Sequence, residues 1–439
     1  MGSDTPSEGS EGTRHRRIAA EQGGDVMRLL SGRAATAAVN RLARRGNEFA
    51  SLEPRVRRII NDVRRSGDSS LRRYARKWDG LGSTQALRVT EPELDAAEHF
   101  ITPDLARSLR RAAANIRRFS EWQKPDAWTR RRSGSCLGQL VRPLTSVGCY
   151  IPGGRYPLVS TLLMTVIPAQ VAGVKNIRVV SPKPSCEVLA AASMLGIREF
   201  FRVGGAQAIA ALAYGTETVP RVDKIVGPGN AFVTVAKKLV SFDCAIDFLA
   251  GPTEAVVLSE SGTSAFIAAD LVSQAEHDPD ALSLFITTSK SLAEAVAGEL
   301  AALSKGNRIA RQSLQRRGAV LLAASRQQAR DWANALAPEH ITVEKDDLPF
   351  IENAGSIFVG DYSPQAAGDY AAGPNHVLPT SGQARFRGGL SVLDFLKVIT
   401  VQEFTPAGLQ RIATTVENLA EVEGLAAHAR SIRVRSAHA

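Results

Sequence analysis

Residues 141–250 alternate short runs of apolar, β-branched and aromatic residues with longer Ala-rich segments. The apolar runs lie at 147–151, 176–180, 200–203 and 224–226. The Ala-rich segments between and after them predict helices near 158–173, 185–195, 206–213 and 231–241. Strands that alternate with helices in this way form a parallel sheet with helices on both faces.

A second series of apolar runs follows the first, again with helical segments between them. These runs lie at 255–258, 282–286, 319–322, 341–343 and 356–359. The two halves are similar in kind but share no fixed-period repeat. The sequence therefore predicts an α/β fold with two Rossmann-like parallel-sheet domains.

The two ends of the chain have different patterns. Residues 1–23 are rich in Ser, Gly and Glu, which predicts a disordered tail. Residues 25–132, including Val26–Leu30, have a basic, helical pattern. Past Leu390, two helices are expected to end at His428, in an appendage too small to fold alone.

Composition narrows the function classes. The chain has 439 residues, 44% hydrophobic and 22% charged, as in a globular protein with at least two domains. A net charge of +10 invites a nucleic-acid hypothesis, but no nucleic-acid motif accompanies the arginines, so we expect no such partner. The apolar run 162–168 is too short to span a membrane, and four cysteines without CxxC spacing favour a reduced, cytoplasmic protein.

The segment Thr263–Asp280 predicts an amphipathic helix that ends before Pro279. Thr263 or Ser264 can cap its start. Gln274 and His277 share one face near its end, and an amide oxygen beside an imidazole is half of a plausible metal shell. Alternatively, His277 simply suits the helix dipole there and Gln274 is solvated.

Three Gly-rich turns follow strands in the first series. They are Gly148–Gly154, Gly204–Gln207 and Gly227–Asn230. Glycine allows close backbone approach to a ligand, and helix N-termini attract phosphate, so a dinucleotide site is reasonable. The signal is weak because the GxGxxG fingerprint is absent and tight turns need glycine anyway.

Four of the seven histidines stand beside turns, in segments that also contain acids or amides. They are His277, His340, His376 and His428. Each alone fits a buried, hydrogen-bonded histidine, but together they indicate a metal-assisted active site.

The chain resembles the histidinol dehydrogenase family over about residues 56–433. The resemblance rests on long, ordered motifs. They are GCYIPGG, GGAQAIAALAYGT, DKIVGPGN, AGPTE, LVSQAEH, APEHI, GDYAAGPNHVLP, GLSVLDFLK and EGLAAHA.

This resemblance implies roles for particular residues. Glu339 and His340 would be the catalytic pair. One Zn²⁺ per subunit would be held by Gln274, His277, Asp369 and His428. NAD would be bound by Tyr150, Gln207 and Asn230. The substrate would meet Thr253, Gln274, His277, His340, Asp369, His376, Glu423 and His428.

The resemblance also implies a reaction: L-histidinol is oxidised to L-histidine through L-histidinal, with two NAD consumed, in the last steps of histidine biosynthesis. Zinc is not redox-active, so it would anchor the substrate while hydride passes to NAD. His340 suits removal of the alcohol proton near neutral pH, and Glu339 can activate water for the aldehyde step.

The family further implies an intertwined homodimer with shared active sites. Glu423 and His428 would complete the site of the other subunit. Glu423 would bind the substrate amine, and His428 would be a metal ligand. We expect a tail at 1–23, a helical N-terminal extension at 24–50, and a C-terminal helical segment at 389–439 that contacts the partner. The first α/β domain would combine 51–146 with 252–388 and carry the metal and catalytic residues, and 147–251 would form the second, NAD-side domain.

Two positions depart from the family pattern: Thr253 replaces a common Ser, and Arg155 follows the glycines of the first turn. Arg155 keeps open an alternative in which a dehydrogenase of the same superfamily oxidises another alcohol, such as a sulfonated diol. A zinc hydrolase or a catalytically silent metal-binding protein is a further alternative. A hydrolase, however, has no use for nucleotide-binding turns.

Overall fold

The computed structural model describes residues 26–46, 49–153 and 157–437. The expected disordered tail and Arg155 lie outside these residues. Strands are β1 (Arg28–Ser31), β2 (Arg88–Val89), β3 (Trp128–Arg132), β4 (Ser135–Pro143), β5 (Ser146–Tyr150), β6 (Asn176–Val180), β7 (Glu199–Phe201), β8 (Lys224–Val226), β9 (Ala245–Ile246), β10 (Glu254–Leu258), β11 (Leu282–Thr287), β12 (Ala319–Leu322), β13 (His340–Val343), β14 (Ser356–Val359) and β15 (Leu396–Phe404).

Helices connect most of these strands. They are α1 (Gly32–Ala43), α2 (Glu53–Trp78), α3 (Glu91–Ala97), α4 (Pro103–Gln123), α5 (Val159–Ala172), α6 (Cys186–Met194), α7 (Gly205–Tyr214), α8 (Ala231–Val240), α9 (Ser264–Ala275), α10 (Lys290–Leu303), α11 (Arg308–Arg317), α12 (Arg326–Leu336), α13 (Gln365–Tyr370), α14 (Pro406–Val422) and α15 (Ala426–Ser436).

Sheet I has the strand order β1-β12-β11-β10-β13-β14, and all its neighbouring strands are parallel. Helices α1 and α12 pack on one face, and α9, α10 and α11 pack on the other. Because both faces are covered, successive residues such as Leu284, Phe285 and Ile286 are all buried. This double burial explains the near-continuous apolar runs in the sequence.

Sheet II has the order β2-β7-β6-β5-β8-β9, with only β2 antiparallel to its neighbour. One face is covered by α4, α5 and α6, and the other by α2, α7 and α8. From β5 the chain builds outward through β6 and β7, and then returns to add β8 and β9 on the other side. The strand order therefore reverses between β5 and β8, where open α/β sheets bind their ligands.

The carboxyl edge of sheet II lies beside the amino edge of sheet I. Helix α5 begins at the first of these edges, and its Thr161 Oγ1 lies 3.3 Å from His376 Nε2. Asn375 Nδ2 donates to the Met164 carbonyl of the same helix at 2.7 Å. The His376 Nδ1 atom lies 2.7 Å from the Asp369 carbonyl, which connects this contact to the residues near β13.

The α/β fold with two parallel sheets is confirmed. The second C-terminal helix ends at Ser436 and not at His428 as expected, and three further details differ from expectation. The segment Val26–Leu30 is not helical as expected: from Arg28 on it belongs to β1, which pairs with β12 at an edge of sheet I. A short apolar run does not distinguish helix from strand, and the free sheet edge decides between them.

The second difference concerns residues 51–146, which were expected to accompany sheet I. In the structure α2 packs on α7 and α8, α4 packs on α5, and β2 pairs with β7. This stretch therefore packs mainly against sheet II.

The third difference is a small antiparallel sheet, β15-β4-β3, that the sequence did not predict. Strand β3 is exposed along its whole length and carries three consecutive arginines, so it has no apolar alternation by which to recognise it. Strand β15 pairs along nine residues with β4 and attaches α14 and α15 to the rest of the chain. No helix of the described residues is long and apolar enough to span a membrane.

Candidate active site

Glu339 and His340 lie where the chain enters β13, at the amino edge of sheet I. Glu339 Oε2 accepts a hydrogen bond from the backbone N–H of Glu254 at 2.9 Å. Burial raises the pKa of Glu339 to about 8, although neighbouring His340 works against this shift. A carboxyl group with this pKa can exchange a proton near neutral pH.

Glu254 itself is buried and is neutralised by a residue from the N-terminal extension. Arg45 forms a bidentate ion pair with Glu254, in which Nη2 lies 2.5 Å from Oε2 and Nε lies 2.6 Å from Oε1. The N–H of Ser381 also donates to Glu254 Oε1 at 2.9 Å. These contacts fix the strand start whose N–H holds Glu339.

His340 is buried between two carboxylates. Its Nε2 lies 3.3 Å from Asp369 Oδ1, and its Nδ1 lies 3.7 Å from Glu339 Oε2. Burial disfavours the imidazolium, but the negative charges of Glu339 and Asp369 outweigh it and raise the pKa of His340. Nδ1 is buried and forms no hydrogen bond of good geometry with the described residues, although the Glu254 backbone also contributes to the raised pKa of His340.

Asp369, at the end of α13, is an expected metal ligand that contacts a second one, Gln274. Gln274 Nε2 donates to its Oδ2 at 2.9 Å. Burial acts to raise the pKa of Asp369, but hydrogen bonding and charge from His340 reverse this effect and lower it. Gln274 donates through its amide nitrogen, so its oxygen is left to bind a cation.

Helix α9 places Gln274 in its last turn, as the sequence predicted, and His277 follows two residues after its end. His277 is exposed and close enough to His376 to affect its pKa. Thr263 is the N-cap residue, but its hydroxyl does not cap the helix, contrary to expectation. It donates instead to Asp361 Oδ2 at 2.9 Å.

A cavity of about 430 Å³ lies beside these residues and is lined in part by His340, Asp369 and His376. Burial lowers the pKa of His376, so this imidazole is favoured in its neutral form. Thr253 directly precedes β10, on the same edge, and its carbonyl accepts from the Leu282 N–H at 2.8 Å. His340, Asp369 and His376, three of the expected substrate residues, thus line one cavity.

Glu423 and His428 are not part of this cluster within one chain. Both are exposed, at the end of α14 and within α15, in the unit that β15 joins to β4. Across the described part of the chain, no three His, Cys, Asp or Glu side chains group closely enough to hold a metal ion. The expected ligand set uses an amide and a residue from this separate unit.

A second cavity, of about 470 Å³, lies at the carboxyl edge of sheet II. All three residues expected to bind a cofactor, Tyr150, Gln207 and Asn230, line it. They come from the end of β5 and the starts of α7 and α8, on both sides of the point where strand order reverses. Sequence reasoning therefore brought together side chains that the fold places around one space.

Close backbone approach shapes the turns at this edge of sheet II. The Tyr150 hydroxyl accepts from the Gly205 N–H at 3.0 Å, and Gly205 has a φ of +61°. The Gly227 N–H donates to Asp247 Oδ2 at 2.8 Å, and a Cβ on Gly227 would overlap the carbonyl oxygen of Tyr150. Both glycines are thus required by geometry, independently of any ligand.

Comparison with known proteins identifies the family. The family model described as histidinol dehydrogenase matches residues 42–436. The chain belongs to the histidinol dehydrogenase family. It is 49% identical to histidinol dehydrogenase from Methanothermobacter thermautotrophicus over 393 residues, 86% of this chain and 92% of that protein. It is 47% identical to that of Geobacter sulfurreducens over 410 residues, 90% of this chain and 95% of that protein.

A solved structure agrees with this assignment. The crystal structure of histidinol dehydrogenase from Elizabethkingia anophelis is 35% identical, with a TM-score of 0.89. The alignment covers 94% of this chain and 98% of that chain. Membership of the histidinol dehydrogenase family makes this protein an oxidoreductase.

Sequence reasoning missed four residues that hold the two cavities in place: Arg45, Asp79, Thr161 and Glu254. Of these, only Glu254 lies in a quoted motif, AGPTE, where its carboxylate could have been singled out. Asp79 and Arg45 follow basic helices and have no distinguishing neighbours. Only the fold shows their distant partners.

Proposed function

We propose that this chain is a zinc-dependent histidinol dehydrogenase that oxidises L-histidinol to L-histidine through L-histidinal, using two NAD, in the last steps of histidine biosynthesis. The observation that carries the proposal is the cluster of Glu339, His340, Asp369 and Gln274 on one edge of sheet I. The contact between His376 and Thr161 joins this edge to the carboxyl edge of sheet II, which holds the Gly-lined cavity. One edge offers ionisable groups for proton transfer, and the other offers space for a dinucleotide.

The residues at the amino edge of sheet I fit a zinc ion. Gln274 and Asp369 are already in contact, His277 follows on the same helix end, and the neutral oxygen, carboxylate and imidazole are suitable donors. His428 would be the fourth ligand. When bound, zinc would anchor the imidazole and amine of the substrate, and it would not carry electrons.

The proton chemistry falls to His340 and Glu339. The surrounding carboxylates keep the His340 imidazole basic, and its Nε2 lies 3.3 Å from Asp369 Oδ1. We assign to His340 the removal of the proton from the alcohol hydroxyl. Glu339, held by the Glu254 N–H and titrating near neutrality, is assigned the proton of the water that hydrates the aldehyde. His376 and Thr253 would line the substrate site.

The second cavity fits NAD. Its volume of about 470 Å³ is in the range of ligand pockets, and its walls combine turns where the backbone is close with the N-termini of α7 and α8. Asn230 caps α8 by accepting from the N–H groups of Phe232 and Val233, which fixes that terminus beside the cavity. When bound, NAD would accept the hydride from the alcohol carbon and then from the hydrated aldehyde.

We further propose a cytoplasmic homodimer in which the partner supplies Glu423 and His428 to each site. The unit of α14 and α15 carries large exposed apolar side chains, including Leu419 at 60% and Val422 at 88% exposure. It is attached through β15, and its two expected site residues are exposed and outside the cluster around Asp369. A second copy of the chain is the occupant that would both cover this surface and complete the site.

The test is the stoichiometry of the purified, zinc-loaded protein with limiting L-histidinol and excess NAD. We expect two NADH per histidinol, loss of turnover on chelation without unfolding, and recovery on adding zinc. One NADH per substrate, full activity without metal, or a higher kcat/KM on a sulfonated diol would each contradict the proposal.

A further inference from the structure

Asp79 is a buried carboxylate in the wall of the sheet II cavity, exposed by only 8%. It caps the C-terminus of α2. Its Oδ2 accepts from the Gly204 N–H and from Gln207 Nε2, each at 3.0 Å. None of the described residues hydrogen-bonds to Oδ1, so that oxygen is left as an acceptor for a ligand.

Lys183 lies close to Asp79 and lines the same cavity. Its stem passes so near Gly80 that a Cβ there would overlap Cε, and its ammonium acts electrostatically on Asp79. Yet no ion pair joins the two described side chains. Lys183 also has a φ of +45°, a costly conformation for a non-glycine residue and one that concentrates at ligand sites.

The remaining wall next to these charges is largely apolar. Ile59, Trp78 and Phe232 line it, and Arg55 lies over the Phe232 ring at 5.1 Å. None of the described strands of sheet I lines this cavity. In the proposed function the nicotinamide end of NAD must lie near His340, at the edge of sheet I. The adenosine half is therefore the part that belongs between these apolar side chains and the pair Asp79 and Lys183.

We propose that Asp79 and Lys183 bind the hydroxyl groups of the adenosine ribose of NAD, and that Asp79 excludes the 2′-phosphate of NADP. A ribose diol can donate to a carboxylate and accept from an ammonium at once. A 2′-phosphate would instead place its negative charge against a buried carboxylate, which is how a site rejects a competitor. The inference rests on the proposed function, since it requires a dinucleotide in this cavity.

A purely structural role for Asp79 makes a different prediction. If the residue only holds Gly204 and Gln207, its charge has no effect on cofactor choice. Asp79→Asn separates the two roles, because the Asn carbonyl can still accept both Oδ2 hydrogen bonds while its NH₂ replaces Oδ1. Asp62→Asn is a matched control, since Asp62 lies on the same helix, is hydrogen-bonded to Tyr74 and does not line the cavity.

The experiment measures NAD and NADP binding by calorimetry, at fixed salt and without histidinol. We expect the wild type to bind NAD at least about tenfold more tightly than NADP, and Asp79→Asn to reduce that ratio at least about tenfold. Asp62→Asn should leave the ratio unchanged. Lys183→Met should weaken NAD binding several-fold and should cancel the gain in NADP binding when combined with Asp79→Asn.

An unchanged NAD to NADP ratio in Asp79→Asn would overturn the proposal, as would a gain in NADP binding that persists without Lys183. If Asp79→Asn does not fold, the exposed Lys183→Met variant still decides, because unaltered NAD affinity there contradicts the ribose contact. Wild-type turnover with histidinol and NAD is measured first. Its absence would contradict the proposed function, whereas normal turnover with unresponsive variants would contradict this inference alone.

Discussion

The two sheet edges that meet near Thr161 and His376 are built from different groups. At the carboxyl edge of sheet II, glycine turns and the starts of α7 and α8 surround the cavity. Its neutral side chains, such as Gln207 and Asn230, stand beside the carboxylate of Asp79 and the cations of Arg55 and Lys183. At the amino edge of sheet I, carboxylates and imidazoles cluster around His340 and Asp369.

This difference matches what the proposed function requires each edge to bind. The N-termini of α7 and α8, together with the cations of Arg55 and Lys183, suit an anionic dinucleotide at the edge of sheet II. A metal cation needs carboxylate and imidazole ligands, and proton transfer needs groups that gain and lose a proton. Burial and neighbouring charges shift the pKa values of such groups toward neutral pH. We therefore infer that sheet II binds the cofactor and sheet I performs the proton chemistry.

The largest expected effect comes from removing the ionisable groups of sheet I. We expect His340→Asn to slow alcohol oxidation by about 10²–10⁴-fold while sparing oxidation of supplied aldehyde. Glu339→Gln should do the converse, since Gln can still accept from the Glu254 N–H but cannot take a proton. Single-turnover rates of each half-reaction would measure this division.

A matched control lies near the other end of β13. Glu344 accepts from the N–H groups of Glu260 and Ser261 and is remote from His340 in the strand. Glu344→Gln should leave both half-reactions nearly unchanged. Equal losses in both half-reactions for the His340 and Glu339 variants would refute the separate roles.

The next effect tests whether one chain completes its own site. His277→Ala and His428→Ala should each be inactive, and co-expression should restore about a quarter of wild-type activity, because half the dimers are mixed and each has one intact site. Differential tags on the two chains would verify mixed dimers. No recovery in verified mixed dimers would mean that His428 serves its own subunit.

A smaller, graded effect is expected from pH. Because the pKa of Glu339 is raised to about 8, the carboxylate is the minor form at pH 6 and becomes the major form above pH 8. Aldehyde oxidation should therefore rise with pH, by about tenfold per unit well below that pKa, and level off above it. The profile of kcat on supplied aldehyde measures this rise. A flat profile in Glu339→Gln is the control, and a wild-type rate that falls from pH 6 to 8 would contradict the assignment.

The smallest effect is expected at the edge of sheet II. Tyr150→Phe removes the acceptor of the Gly205 N–H, a hydrogen bond worth about 0.5–1.5 kcal/mol. The dissociation constant for NAD should rise several-fold while histidinol binding is unchanged. Tyr74→Phe, which removes a hydroxyl bonded to Asp62 on the outer part of α2, is the matched control. Equal effects of the two substitutions on NAD affinity would argue against a specific role for Tyr150.

The sequence predicted the two sheets well because strands buried on both faces leave unmistakable apolar runs, as at Leu282–Thr287. It predicted the wrong structure at Val26–Leu30 because the edge of sheet I, not the local pattern, determines β1. It did not predict β3, where Arg130, Arg131 and Arg132 are exposed and carry no burial signal.

The spacing of Gln274 and His277 suggested half of a metal shell, and the family resemblance named Glu339 and His340. The structure brings Gln274, Glu339, His340 and Asp369 close together, and their roles stay predictions. The candidate site was not predictable where a residue acts through a distant partner. Arg45 reaches Glu254 across 209 positions, and Asp79 reaches Gln207 across 128. Such pairs become visible only when the fold brings the two segments together.

The most direct test of the division between the two edges is a crossed binding measurement, with NAD and histidinol each titrated into Glu339→Gln and Asn230→Asp. The account predicts that Asn230→Asp weakens NAD binding, because it places a negative charge at a helix N-terminus beside an anionic ligand, and leaves histidinol binding unchanged. Glu339→Gln should leave NAD affinity unchanged while slowing the aldehyde step by about 10²–10⁴-fold. If either substitution weakens both ligands to the same extent, the two edges do not act as separate sites.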